Sequence, residues 1–480
     1  MNTCETLLAA LVVGTSLAAQ ALAGSDDDGR RERERGLGIE VHTQTTQSDA
    51  LRNNETHKWF ASWGASHGVR LTSPSPLSGR SVRMIVRPST SGNRLRVKLE
   101  NTMGLDKVVF SEVFVGVVAD GASLVPGTNE RITFDHSPAV TLLPGDGVYS
   151  DDLSFQVEAF ERLAVSINVA YATDISVHRL GLAKGYMGPG ALAANEAADG
   201  FGPIPEDVTK DQGNIPFYWL AGLDVRTPEP VDGSIVVFGD SIADGVCSTQ
   251  EGTKRAGPDD LYHRWTDILA ERLALLPSDQ DKATNPKAVA DASIAGGALL
   301  TRLTGPAGLD RLDRDVLDRS GMSHVILALG TNDVALQVFT SAQVINGMQQ
   351  VIDRVHAKGV KIVGTTIIPR PGPAWNAGKE SDRDAINDWI RNTANFDGVI
   401  DFAQLLKGPL VVRNGALVED IKPGFGCGDN IHPNPAGYRL MGEFVDVSLF
   451  TSPGKINAHD RDTHNHVVPE DNNADDYTNY

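Results

Sequence analysis

The chain changes its hydrophobic grammar once, near residue 230, and that change constrains the fold more than any other feature. Upstream, Leu95, Val97 and Leu99 alternate with Arg94, Arg96, Lys98 and Glu100. A period of two places one face of a strand in a core and the other toward water. Similar short runs follow at 108–118 (VVFSEVFVGVV), 139–144, 153–160 and 163–172, separated by the turn signals ADG, PGTN and PGDG. Short strands at this spacing predict a jelly-roll-like β-sandwich over 56–226, without helices.

Downstream of TPEPVDG (227–233) the runs become continuous. SIVVFGD (234–240), HVILALG (324–330), VKIVGTTIIP (360–369) and DGVIDFAQ (397–404) read as strands buried on both faces. Between them 261–276, 341–359 and 381–394 have helical spacing. Alternating strand and helix predicts βαβ units, a parallel sheet and a three-layer α/β domain over 233–451.

The ends read differently. Leu7 to Ala23 is apolar and closes on Ala21-Leu22-Ala23, a small-x-small cleavage pattern. It is expected to be a secretory signal peptide over 1–23, although the preceding MNTCE carries Glu5 and no basic residue. The competing reading is a short core helix. Residues 24–55 contain SDDDGRRERERG and a Thr/Gln/Ser-rich stretch, the composition of a disordered linker. Residues 452–480 are Asp/Asn/His-rich and read as a solvated tail, with His459, His464 and His466 as weak metal ligands at most. With 62 acidic against 43 basic residues the net charge is −19, which disfavours phosphate backbones and anionic membrane surfaces. Nucleic-acid partners and stable membrane insertion are therefore not expected.

Four places in the downstream half carry chemistry, each at a strand end or in a loop, where α/β sheets bind ligands. Ser241 follows a buried strand and opens a helix; alone, it could be an ordinary N-cap. Asp429 and His432, in GDNIHPNPAGY, are three apart, so a carboxylate can meet an imidazole within one turn of chain. A serine nucleophile needs that imidazole as a base, and the base needs a carboxylate to fix its tautomer. Gly296 in ASIAGG can present an unobstructed backbone N–H, and Asn332 in LGTND a side-chain amide. Acyl transfer uses such donors at the developing oxyanion.

In the order Ser241, Gly296, Asn332, Asp429, His432 the sequence resembles the GDSL, or SGNH, hydrolase superfamily over about residues 233–450. The blocks present are GDS, an I-x-G loop, G-x-N-D and D-x-x-H-P. The resemblance implies a flavodoxin-like α/β/α fold and a serine ester hydrolase needing no metal or cofactor. It implies that Ser241 is the nucleophile, His432 the general base and acid, and Asp429 its orienting partner. The Ser241 N–H, Gly296 and Asn332 would form the oxyanion hole. Ala243 stands where Thr is frequent and Asp291 where Asn is frequent; neither holds one of the five roles. A β-rich region ahead of the GDS strand, with WFASWGAS (59–66), RWTDILAERL (264–273) and RLDRDVLDRSG (311–321), is similar to a secreted subgroup described as arylesterases or acylhydrolases.

The expected function is a secreted esterase, extracellular or periplasmic, on ester substrates. One reading is an O-acetyl or short-acyl esterase on polysaccharide or small esters; the alternative is a lipase or arylesterase on free apolar esters. Export and a sandwich domain favour the first, and acetylated polysaccharide is the partner it implies. A non-catalytic carbohydrate-binding protein on a hydrolase fold is the remote alternative. Trp59, Trp63 and Trp219 could stack on sugars, though packing is the commoner use of such residues. Three cysteines are present, and Cys4 would leave with the signal peptide. Cys247 lies six residues after Ser241 and Cys427 two before Asp429. Catalysis would bring those loops together, so a Cys247–Cys427 disulfide is expected, against two free thiols.

Overall fold

A computed structural model describes residues 58–72, 77–204, 215–228, 231–249, 262–276 and 286–451. The signal-peptide, linker and tail expectations lie outside the described residues.

Among the described residues the strands of the upstream region pair antiparallel. Its longer strands are β1 (Trp59–Gly64), β2 (Arg80–Val86), β3 (Gly92–Glu100), β4 (Val108–Asp120), β5 (Leu153–Val157), β6 (Leu163–Tyr171), β7 (Gly185–Pro189) and β8 (Leu220–Arg226). One sheet runs β1-β8-β3-β5, and another has β7-β2-β6-β4 at its centre. Leu95, Val97 and Leu99 of β3 point inward as the alternation required, and meet Val82 and Met84 of β2 and Val165 and Ile167 of β6 in one core. A smaller sheet joins Val69–Leu71, Ile175–His178 and Phe217–Tyr218.

The downstream region is built on five parallel strands: β9 (Ser234–Gly239), β10 (Ala288–Asp291), β11 (Met322–Ala328), β12 (Lys361–Thr365) and β13 (Gly398–Ile400). Their order is β10-β9-β11-β12-β13, the flavodoxin-like arrangement, with β9 at the point where the chain reverses its direction of winding. Each face of β9 feeds a different layer. Ile235 and Val237 pack with Trp265, Leu269 and Leu273 of α2 (Trp265–Ala274) and Tyr438 and Met441 of α6 (Pro435–Phe444). Val236 and Phe238 pack with Val344, Met348 and Val351 of α4 (Ser341–Ala357) and Ile386 and Ile390 of α5 (Ala377–Asn392). Among the described residues no helix is long and apolar enough to cross a membrane.

Two expectations need correction. The run 397–404 is not one strand: Asp401 ends it and caps a short helix, Phe402–Leu405. Helix α5 starts at Ala377 rather than 381, because the Asn376 side chain accepts the Lys379 N–H. The tryptophans are used in packing, the commoner use of such residues. Trp219 is fully buried edge-on to Phe110, Trp63 lies edge-on to Phe217, and the Arg96 guanidinium covers Trp59.

The two regions meet through polar side chains. Ser89 donates to Val289 O (2.9 Å) and accepts from Val289 N–H (2.8 Å), so it satisfies groups on edge strand β10. Arg314 donates to His67 O (2.9 Å) and Arg319 to Ala221 O (3.0 Å).

Candidate active site

Strand β9 ends at Gly239, and α1 (Ser241–Asp244) begins at once. Asp240, not Ser241, is the cap: its carboxylate accepts the Ile242 N–H at 3.0 Å. That leaves the Ser241 hydroxyl free to donate elsewhere, and it donates to His432 Nε2 at 2.8 Å. The imidazole Nδ1 faces Asp429 Oδ2 at 2.6 Å.

Asp429 is set by its own loop. Its Oδ1 accepts the backbone N–H groups of Ile431 and His432, both at 2.9 Å. Burial pushes its carboxyl up, but the His432 ring and these N–H donors outweigh that and hold it at about 2. An ionised carboxylate can only accept, so Nδ1 carries the hydrogen and Nε2 keeps its lone pair toward Ser241. The loop is tied at both ends. Cys427 N–H donates to His432 O (3.0 Å), and Asn434 caps α6 by accepting from Gly437 N–H. Cys247 and Cys427 form a disulfide, with Cα atoms 6.3 Å apart, joining this loop to the one after α1. Tyr438 of α6 adds a bond to Val246 O at 2.7 Å.

Gly296 and Asn332 lie on neighbouring loops. Gly296 has φ +75°, and a Cβ there would stand 2.3 Å from Thr304 Oγ1. Asn332 lies in α3 (Thr331–Leu336), and its Nδ2 donates to Gly297 O at 2.8 Å. The neighbouring Asp333 accepts from Leu299 N–H (2.8 Å) and Leu300 N–H (2.9 Å), fastening the Gly296 loop to α3. Ser241 is 7% exposed, and Asn332 and His432 are 6% exposed. The structure thus brings the serine, imidazole and carboxylate into one hydrogen-bonded line, with the glycine loop and the amide joined to each other.

Residues 237–440 match the model of the GDSL-like Lipase/Acylhydrolase family. The chain carries a domain of this family. That domain is a serine ester hydrolase domain of the GDSL type. Solved structures similar to the chain include a family two carbohydrate esterase from Clostridium thermocellum in complex with cellohexaose. That match has 14% identity over 80% of this chain and 96% of that one, with a TM-score of 0.33. A carbohydrate acetylesterase from Sinorhizobium meliloti matches at 17% identity over 44% and 94%, with a TM-score of 0.31. An aryl esterase from M. smegmatis matches at 18% over 44% and 95%, with a TM-score of 0.32. No curated protein matches the chain.

Two arginines of the GDSL domain went unread in the sequence. Arg370, in the loop after β12, donates from Nη1 to Asn332 Oδ1 at 3.0 Å. Arginine has only donors, so this contact fixes which end of the Asn332 amide is nitrogen. Arg311 is buried behind the site. It donates to Gly239 O (3.2 Å) and Ala292 O (2.6 Å), the strand ends leading to Ser241 and Gly296. It pairs with buried Asp315 (3.0 Å), which also holds Arg314. RLDRDVLDRSG stood out in the sequence, but its period gave no hint that its charges turn inward.

Proposed function

We propose that the chain hydrolyses short-acyl esters, O-acetyl groups of polysaccharides foremost, through an acyl-enzyme on Ser241, and acts outside the cytoplasm. The observation that carries the mechanism is the Ser241–His432–Asp429 line at 2.8 and 2.6 Å. His432 Nε2 takes the hydroxyl proton as Ser241 Oγ attacks the ester carbonyl. Asp429 stays ionised and stabilises the imidazolium. The tetrahedral O⁻ is met by the Ser241 N–H at the start of α1, the Gly296 N–H and the second Nδ2 hydrogen of Asn332, the first being held by Gly297 O. His432 then protonates the leaving alcohol, and water repeats the sequence on the acyl-enzyme.

A nucleophile, base and amide each less than a tenth exposed suit a small acyl group. The disulfide suits an oxidising compartment. The test is acid release from acetylated xylan, acetylated pectin, aryl acetates and triglycerides by wild type, Ser241→Ala and His432→Ala. Acetyl release lost in both variants is expected. Asp429→Asn should keep more activity than His432→Ala, since the imidazole remains. Undiminished turnover by Ser241→Ala refutes the mechanism, and preference for long-chain triglycerides refutes the substrate class.

A further inference from the structure

His178 ends a strand of the upstream β region, yet its ring faces the GDSL domain. Its Nδ1 lies 3.0 Å from Ser66 O. Its Nε2 lies 3.0 Å from Leu180 O and 3.2 Å from Asp244 Oδ1. Every one of these partners accepts. A neutral imidazole has one N–H and would turn a bare lone pair onto an oxygen, so the geometry requires hydrogens on both nitrogens. The ring is an imidazolium paired with the Asp244 carboxylate.

Asp244 is the last residue of the helix that Ser241 opens. Its other oxygen, Oδ2, accepts the Ala295 N–H at 2.7 Å. Ala295 immediately precedes Gly296. One buried carboxylate therefore touches the β region, the helix of the nucleophile and the loop of the glycine.

We propose that the upstream β region supplies a positioning residue to the esterase site: the His178 imidazolium holds Asp244 where it fixes the Gly296 loop. This rests on the reading of Gly296 as an oxyanion donor. Ser241, Gly296 and Asn332 all belong to the GDSL domain, but the aim of one donor loop is set from outside it.

The surroundings favour the charged ring. Burial lowers its pKa, but the Asp244 charge and hydrogen bond and the Ser66 carbonyl outweigh burial and Arg264, leaving it raised. Other titratable groups face the same cluster. Burial pushes His67 down to about 4. Asp291, beyond Asp244, is raised by burial and by the Asp244 charge to about 6. Asp267, against Arg264, is raised by burial. A raised base is charged below its folded pKa and loses its charge as pH rises through it. The positioning effect is accordingly present below that folded pKa and lost as pH rises through it.

The test uses the full chain, with p-nitrophenyl acetate kinetics and amide hydrogen exchange of the 292–297 segment. His178→Gln should lower kcat roughly tenfold to a hundredfold, the scale of a displaced catalytic group, with KM little changed. The alkaline limb of kcat should disappear, and Ala295 should exchange faster. Asp244→Asn should do the same, and adding His178→Gln to it should cost little more, because both act through one contact. Should His178→Gln fail to fold, Asp244→Asn carries the test through its pH profile and exchange. Wild-type kcat with an intact alkaline limb, multiplying losses, or unchanged Ala295 exchange would each overturn the proposal. Exchange does not depend on chemistry, so it separates failure here from failure of the esterase reading, which Ser241→Ala reports.

Discussion

Substituting Gly296 by alanine isolates the glycine loop from the rest of the site. The new Cβ would stand 2.3 Å from Thr304 Oγ1 and 3.1 Å from Thr304 Cβ, distances that cannot persist. At φ +75° an alanine also carries left-handed strain of roughly 1–2 kcal/mol. Thr304 is short and stiff at χ1, so the loop must share the movement. Its flanks cannot follow easily, since Ala295 N–H is held by Asp244 and Leu299 and Leu300 N–H by Asp333. The displacement therefore concentrates at residue 296, where the N–H is proposed to meet the oxyanion. Losing one such donor costs roughly 10²–10³ in rate, about 3–4 kcal/mol of transition-state stabilisation. Steady-state hydrolysis of p-nitrophenyl acetate should show that fall in kcat, with KM within a few-fold and a small drop in Tm. Adding Thr304→Ala removes the 2.3 Å contact but not the strain, so the double variant should recover part of the loss. A folded Gly296→Ala with wild-type kcat would refute the reasoning.

Two further outcomes follow from the same neighbourhood. Arg370→Ala should lower kcat about tenfold, because the Asn332 amide loses one of the two contacts that orient it, yet cost almost nothing in an Asn332→Ala background; equal losses in both backgrounds would show that Arg370 acts elsewhere. Asp240 is raised from 3.8 to about 7, chiefly by burial, so its carboxyl favours folding most below pH 4, and that contribution is lost as pH rises through 7. Asp240→Asn keeps the acceptor for Ile242 N–H and cannot ionise. Its Tm should match wild type at pH 4 and exceed it at pH 8, and a pH-independent difference would contradict the assignment.

What could be read in advance followed from locality. The four motif blocks are short runs at strand ends, and parallel-sheet topology sends strand ends to one crevice. Ser241, Gly296, Asn332, Asp429 and His432 could be picked out without knowing any contact. Arg311, Arg370 and His178 could not, because each acts on a group far away in sequence. Arg311 reaches Gly239, and Arg370 reaches Asn332, across turns whose geometry no local period encodes. One omission had a local signal. The hairpin β14 (Lys407–Arg413) and β15 (Ala416–Ile421) turns at Asn414-Gly415, both with positive φ. An Asn-Gly pair between apolar runs marks such a turn directly. Strand β10 is only four residues long, too short for its period to stand out.

The contacts behind the site also bear on what the β region is for. Carbohydrate stacking was one use the tryptophans allowed; Trp219 is buried, while half-buried Trp63 and Trp59 pack against Phe217 and Arg96. The contacts between the regions are mechanical. Arg311 grips the carbonyls at the ends of the strands leading to Ser241 and Gly296, and pairs with Asp315. Asp315 also holds Arg314, which bonds His67 O of the β region, and Arg319 donates both to Asp315 O and to Ala221 O of β8. Breaking a buried ion pair by removing one partner costs about 3–5 kcal/mol, so the cluster resists opening from either side. From in front, His178 meets Asp244. The β region thus contacts both the cluster behind Gly239 and Ala292 and the carboxylate of Asp244. A serine esterase whose donors must stand within tenths of an ångström of a developing charge gains from such contacts.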